Sequence, residues 1–169
     1  MYKQFSLSVI LAAIFSGVLF AGPGHNDKKI IRQVEIGTGF KKIIINGNAD
    51  VVLSADQSTM ALIEGESADV NSTRIINQDG VLTIVAPKFN RNYRPVVKIS
   101  VQQLEKLEVN GDGNVQSIAD LPAKHLAVLI NGACEITLRV KGEVSIETSG
   151  GYEAIYLKKE KIEIQRLSK

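Results

Sequence analysis

The tightest constraint on this chain is a short motif that returns four times. Its copies are Asn46-Gly47-Asn48-Ala49-Asp50-Val51, Asn110-Gly111-Asp112-Gly113-Asn114-Val115, Asn131-Gly132-Ala133-Cys134-Glu135-Ile136 and Ser149-Gly150-Gly151-Tyr152-Glu153-Ala154. Each reads Asn or Ser, then Gly, two variable residues, a polar residue and an apolar one. The second and third copies start 21 residues apart and the third and fourth 18, while the 64 residues between the first two come close to three such periods. A period of this length marks a chain that stacks similar units, each covering the apolar face of the next. A turn of about 20 residues, at roughly 3.3 Å per residue, has a perimeter near ~65 Å and lies about 4.8 Å from its neighbour, with room for three short strands and three corners. Gly permits positive φ at a corner, and Asn or Ser before it can bond nearby backbone groups. Asn-Gly also suits a two-residue hairpin between antiparallel strands. The near-constant spacing favours the coil.

Between the motifs the chain alternates with a period of two. Val97, Ile99 and Val101 alternate with Lys98 and Ser100; Leu126, Val128 and Ile130 with His125, Ala127 and Leu129; Ile136, Leu138 and Val140 with Glu135, Thr137 and Arg139. Val144 and Ile146, then Ile162 and Ile164, continue the series. This is the pattern of strands with one apolar face. The segment 73–86 instead reads as an ordinary hairpin, with Asn77-Gln78-Asp79-Gly80 between Ile76 and Val81. The expected fold is therefore all-β: one solenoid-like domain over residues 34–169, with some antiparallel pairing in its first half.

Residues 1–21 carry an address. Lys3 precedes an apolar run from Leu7 to Phe20, and the small residues Ala21-Gly22 follow, the layout of a secretory signal peptide cut near Ala21. Residues 22–33 form a polar lead-in. No later stretch approaches the roughly 20 apolar residues of a transmembrane helix. Export to the periplasm, the cell surface or the medium follows from this reading. The formal charge of +2 falls by one when Lys3 is removed, too little to argue for nucleic acid. With Cys134 as the only cysteine, no internal disulfide can form.

The segment from Phe40 to Tyr152 resembles the bacterial family of putative auto-transporter adhesins, head GIN domain. The resemblance lies in Phe40-Lys41-Lys42-Ile43-Ile44-Ile45 followed by Asn46-Gly47 and Val51-Val52-Leu53, in Asp79-Gly80-Val81-Leu82-Thr83-Ile84, and in the corners at 110–113 and 149–152. It implies a right-handed parallel β-helix-like domain that is exported and has no established catalytic residues. Cys134 and Tyr152 depart from the family's Gly-x-Gly corner.

Few residues suggest chemistry. Cys134 has no base nearby in sequence, and His125 lies on the outward phase of its strand, so the thiol is expected to pack as a small corner side chain. Asp50, Asn114, Glu135 and Glu153 share one repeat position and would align as a polar ladder, but the calcium-binding nonapeptide pattern is absent and the two histidines form no zinc cluster. No catalytic residue, metal site or cofactor is assigned. The strongest candidate for recognition is the Pro87–Pro95 stretch, where Lys88, Phe89, Arg91, Tyr93 and Arg94 crowd between two prolines. Cations and aromatic faces of this kind bind glycans, anionic polymers or proteins. Asn46, Gly47, Asn110, Gly111, Asn131, Gly132, Ser149 and Gly150 are read as structural corners. The functional expectation is a non-enzymatic, adhesin-like module that contacts a glycan or protein through its outer faces and the 87–95 loop. An envelope assembly factor is the alternative and a glycan-processing enzyme the third reading.

Overall fold

The structure is a computed structural model describing residues 28–88, 94–149 and 162–164. The expected signal peptide, most of the lead-in, Phe89, Arg91, Tyr93 and the last corner from Gly150 onward lie outside these residues.

The strands, in chain order, are β1 (Lys29–Glu35), β2 (Lys42–Asn46), β3 (Asp50–Ser54), β4 (Met60–Glu66), β5 (Arg74–Gln78), β6 (Val81–Val85), β7 (Val96–Ser100), β8 (Lys106–Asn110), β9 (Asn114–Leu121), β10 (His125–Ile130), β11 (Glu135–Val140), β12 (Glu143–Thr148) and β13 (Ile162–Ile164). One short helix, α1 (Ser67–Ser72), follows β4. Its sequence does not announce a helix, since six residues are under two turns and cannot display a period of 3.6. Its Val70 is fully buried, and the Thr73 N–H and hydroxyl both donate to the Asp69 carbonyl, at 3.0 and 2.7 Å.

The fold is all-β, with two mixed sheets. The first runs β1-β4-β7-β3-β9-β11-β13 and the second β12-β10-β8-β2-β6-β5. Their centres are parallel: β7-β3-β9-β11 in one, β12-β10-β8-β2-β6 in the other. Antiparallel strands flank them; β1–β4 and β5–β6 lie in the first half of the chain, as expected, while β4 also pairs with β7 and β11 with β13 in the second half. The hairpin at 73–86 is present as β5–β6, turning on Asp79 and Gly80 with φ of 52° and 75°. Positive φ at both central residues is the two-residue turn that matches strand twist.

Each parallel unit places one strand in each sheet and joins them through a corner, so a unit holds two strands and not three. Alternation puts the apolar sets inward: Ile43, Ile45, Leu53, Leu82, Ile84, Val97, Leu107, Val115, Leu126, Ile136 and Leu138 are at most 1% exposed. The three-period interpretation of the 64-residue gap fails. Asn46 pairs directly with Asn110, so the first two motifs are immediate neighbours. The residues between them leave the stack, build β4, α1 and β5, and return as β6 and β7 on the opposite flank of β2 and β3.

Candidate functional site

The corners form a column with two kinds of contact. Asn110 Nδ2 donates to Asn46 Oδ1 at 3.0 Å, Asn131 Nδ2 to Asn110 Oδ1 at 2.7 Å, and the Ser149 hydroxyl to Asn131 Oδ1 at 2.5 Å. One residue on, the glycines touch backbone to backbone. A Cβ on Gly111 would sit 2.0 Å from the Gly47 carbonyl oxygen, and one on Gly132 2.2 Å from that of Gly111. Of the corner glycines expected to need positive φ, Gly47 has it, at 100°, whereas Gly111 and Gly132 do not. Close approach, not turn conformation, is what requires glycine at those two positions.

The outer corner residues add bonds along the column. Asn48 Oδ1 accepts the Asp112 N–H at 3.2 Å, Asp112 Oδ1 the Ala133 N–H at 2.9 Å, and Asp50 Oδ1 the Asn114 N–H at 2.9 Å. Of the expected polar ladder of Asp50, Asn114, Glu135 and Glu153, one side-chain rung is present, Asp50 to the Asn114 N–H; the Glu135 N–H instead donates to the Gly113 carbonyl at 3.2 Å, and Glu153 lies outside the described residues. These carboxylates and amides serve backbone N–H groups, and among the described residues no group of three or more His, Cys, Asp or Glu converges as a metal site. Cys134 is a free, buried thiol, its pKa pushed up to about 11 by burial, with the Asp112 charge adding to the effect. That environment suppresses thiolate and nucleophilicity. His125 pairs through Nδ1 with Glu143 Oε2 at 3.0 Å on the exposed side of β10.

The Pro87–Pro95 stretch belongs to the same column. Val85 pairs with Asn46 and Val96 with Asp50, so this segment is the corner between β6 and β7. The Asn48 N–H donates to the Pro87 carbonyl at 3.3 Å and the Asp50 N–H to the Pro95 carbonyl at 3.0 Å. Both prolines are therefore held in register with the corner beside them, and Lys88–Arg94 is an insertion into an otherwise short connection. Pro suits these ends because its fixed φ and lack of an N–H leave only a carbonyl to be satisfied. The sequence hid this equivalence, since Val85-Ala86-Pro87 stands where Asn46-Gly47-Asn48 would be read. Alanine is tolerated here because the absent Cβ of each glycine points towards the preceding unit, and Ala86 has no parallel corner preceding it.

At the foot of the insertion Lys88 is exposed, and Arg94 Nη1 lies 3.7 Å from Asp50 Oδ1. Arg94 also lines a groove of about 340 Å³ with Lys29, Asp50, Glu64, Glu66 and Val96. Carboxylates outnumber cations there, so Arg94 is balanced locally and anchors the insertion. A half-exposed pair of this length contributes about 0–1 kcal/mol. Of the residues expected to recognise a ligand, the structure places Lys88 and Arg94 at the two ends of one expanded corner. Phe89, Arg91 and Tyr93 fall between those ends, outside the described residues.

Solved structures similar to this one include a putative adhesin from Parabacteroides merdae ATCC 43184, with a TM-score of 0.57 and 21% identity over 73% of this chain and 52% of that one. Another, from Parabacteroides distasonis ATCC 8503, has a TM-score of 0.52 and 15% identity over 73% of this chain and 57% of that one. A third, from Bacteroides fragilis NCTC 9343, has 0.50 and 17% over 70% and 61%. At these identities the likeness is one of fold, and the chain spans only about half to three-fifths of the length of those proteins. No curated protein matches the chain. The family model described as putative auto-transporter adhesin, head GIN domain matches residues 39–155, and the chain belongs to that family.

Proposed function

We propose that the chain is an exported, non-enzymatic binding module that makes adhesin-like contacts with a glycan or a protein. In this reading residues 1–21 are a signal peptide removed on export, and the parallel units are turns of a right-handed solenoid. The protein works in the periplasm, at the cell surface or in the medium. The carrying observation is the expanded corner. Main-chain bonds fix Pro87 and Pro95 to the neighbouring turn, and the inserted residues are those most suited to recognition: Lys88, Phe89, Arg91, Tyr93 and Arg94. A stack whose corners are tied by amide and glycine contacts holds such an insertion by rigid ends, which lowers the ordering cost of binding. Family membership supports the adhesin-like part of the reading.

The test replaces Arg91, Tyr93 and Arg94 together by alanine. Binding to whole cells, a glycan array or envelope proteins should fall at least about tenfold, as loss of an aromatic and arginine cluster does at other interfaces. The unfolding midpoint should move by no more than about 2–4 °C, since the Arg94–Asp50 pair is weak. Unchanged binding removes the insertion from the reading. Turnover of any polysaccharide would overturn the non-enzymatic assignment, and a single stoichiometric envelope partner would favour an assembly role.

A further inference from the structure

The outer face of the first sheet carries a second feature that the expanded corner does not use. Gln33, Leu62, Lys98, Val52 and Gln116 stand in register across β1, β4, β7, β3 and β9. Beside this row lies a cleft of about 410 Å³ floored by Val52, Met60 and Leu62, a volume within the usual range of about 300–1,000 Å³ for ligand clefts. Two departures from regular strand build its walls.

The first is a bulge in β9. Gln116 pairs with Thr137 and Asp120 with Arg139, so Ser117, Ile118 and Ala119 together face Leu138. The Ser117 hydroxyl takes the Arg139 N–H at 2.7 Å, which replaces a lost ladder bond. The bulge leaves Ile118 64% exposed at the cleft's edge. Bulges often re-aim a side chain in this way beside functional surfaces.

The second is the connection from Ala55 to Thr59, which folds over the face and buries Ser100 to 6% exposure. Asp56 stands on this connection at the mouth of the cleft. The Ser54 hydroxyl donates to its Oδ2 at 2.9 Å and the Ser58 N–H to its Oδ1 at 3.1 Å, while the Ser100 hydroxyl donates to the Asp56 carbonyl. The nearby Ser100 hydroxyl, although it bonds the Asp56 carbonyl, together with the direct bonds from the Ser58 N–H and the Ser54 hydroxyl, holds the carboxyl below the usual carboxylate range. Among the described residues no cation pairs with Asp56. Lys98, across the cleft, is already bound to Glu64 at 2.7 Å.

We propose that this cleft docks a segment of a partner protein that presents an aliphatic side chain together with a neighbouring Lys or Arg. The aliphatic group lies on Val52, Met60 and Leu62 against Ile118, and the cation meets Asp56. Among the described residues no aromatic ring lines the cleft, whereas its aliphatic floor beside the Asp56 carboxylate suits an aliphatic and a basic side chain, which favours protein among the ligand classes. This deepens the binding-module reading and rests on it.

The experiment pans a random-peptide display library against the purified full chain and measures enriched peptides by fluorescence anisotropy. Enriched sequences should pair Leu, Ile, Val or Met with Lys or Arg. Ile118→Ser and Asp56→Asn should each weaken their binding by about tenfold or more, and the Asp56 contribution should shrink with added salt. Ile118 is exposed and Asn at position 56 keeps an acceptor for the Ser58 N–H, so both variants fold. Ile31→Ser, at another exposed apolar residue outside the cleft, should change nothing. Failure to enrich, enrichment without a basic residue, or indifference to both variants would overturn the proposal. Cell binding measured on the same proteins separates the two readings. If it depends on Arg91, Tyr93 and Arg94 while the peptides fail, the cleft falls alone; if peptides bind but neither cells, glycans nor envelope proteins do, the adhesin-like reading falls.

Discussion

Gly111→Ala tests why glycine recurs in the corners. The added Cβ would lie 2.0 Å from the Gly47 carbonyl oxygen, 2.6 Å from its carbonyl carbon and 3.0 Å from its nitrogen. All three are backbone atoms, so no side chain can swing aside. Ordinary contact is reached only if the corner lifts by more than about 1 Å. A lift of that size breaks the 3.0 Å bond from Asn110 to Asn46 and the 3.2 Å bond from the Asp112 N–H to Asn48. It also strains the 2.7 Å bond from Asn131 and the 2.9 Å bond from the Ala133 N–H on the other side. At about 0.5–1.5 kcal/mol for each net hydrogen bond, losing three or four costs roughly 2–5 kcal/mol. Urea unfolding followed by circular dichroism should show that loss, and the melting temperature should drop by about 10 °C. Gly80→Ala is the contrast. Gly80 has φ of 75° with its nearest obstacle, the Gly39 carbonyl oxygen, 4.0 Å away, so it should cost only the left-handed penalty of about 1–2 kcal/mol. If Gly111→Ala costs no more than Gly80→Ala, the stacking argument is wrong.

The column makes two further predictions. Asn110 donates to both Asn46 Oδ1 and Glu108 Oε1, the latter at 3.1 Å, so Asn110→Asp removes both donors and sets a carboxylate against Glu108. Its folded-state pKa is then raised, and the variant should be about 2–4 kcal/mol less stable than wild type at pH 7. Part of that deficit should return as pH falls through the carboxylate range, which urea midpoints at pH 7 and near ~4.5 would measure. For Cys134, a thiol whose pKa rises from 9.0 to about 11 on folding, the folded state keeps its proton where the unfolded state has lost it. Stability should therefore fall between pH 9 and 11, by up to about 2–3 kcal/mol relative to the same change in Cys134→Ala. A disulfide reagent at pH 8 should leave the native thiol untouched and titrate it once the chain is unfolded.

The legible parts of this fold were those written in local chemistry. Alternation marked the strands and their inward sets, Asp79-Gly80 marked the hairpin, and the spacing of 21 between Asn110 and Asn131 matched a true neighbour pair. What misled was arithmetic across a detour. The 64 residues after Asn46 mimic three periods, yet they contain β4, α1 and β5, and only the Asn46–Asn110 pairing reveals that the stack resumes next door. The cleft was equally hidden, because Val52, Met60 and Leu62 lie on outward phases of consecutive strands that do not pair with each other, β7 being inserted between them. Ile118 reaches it only through a bulge that periodicity does not announce. The insertion was legible by composition, though not its place as a corner.

That place follows from the direction of the column. In a glycine stack each missing Cβ faces the unit before it, so every corner with a predecessor is bound to be tight, and residues added there would open the amide ladder on both sides. The β6–β7 unit has a parallel neighbour on one side only, with antiparallel β5 and β4 on the other. Its corner carries Val85 and Ala86 in the positions of Asn and Gly, so the amide ladder stops at Asn46 and no ladder bond is lost by lengthening the connection. Lys88–Arg94 is therefore inserted at the one parallel corner of the described residues where the stack can spare regularity. The two sheets fix Pro87 and Pro95 at its ends, through the bonds from the Asn48 and Asp50 N–H groups.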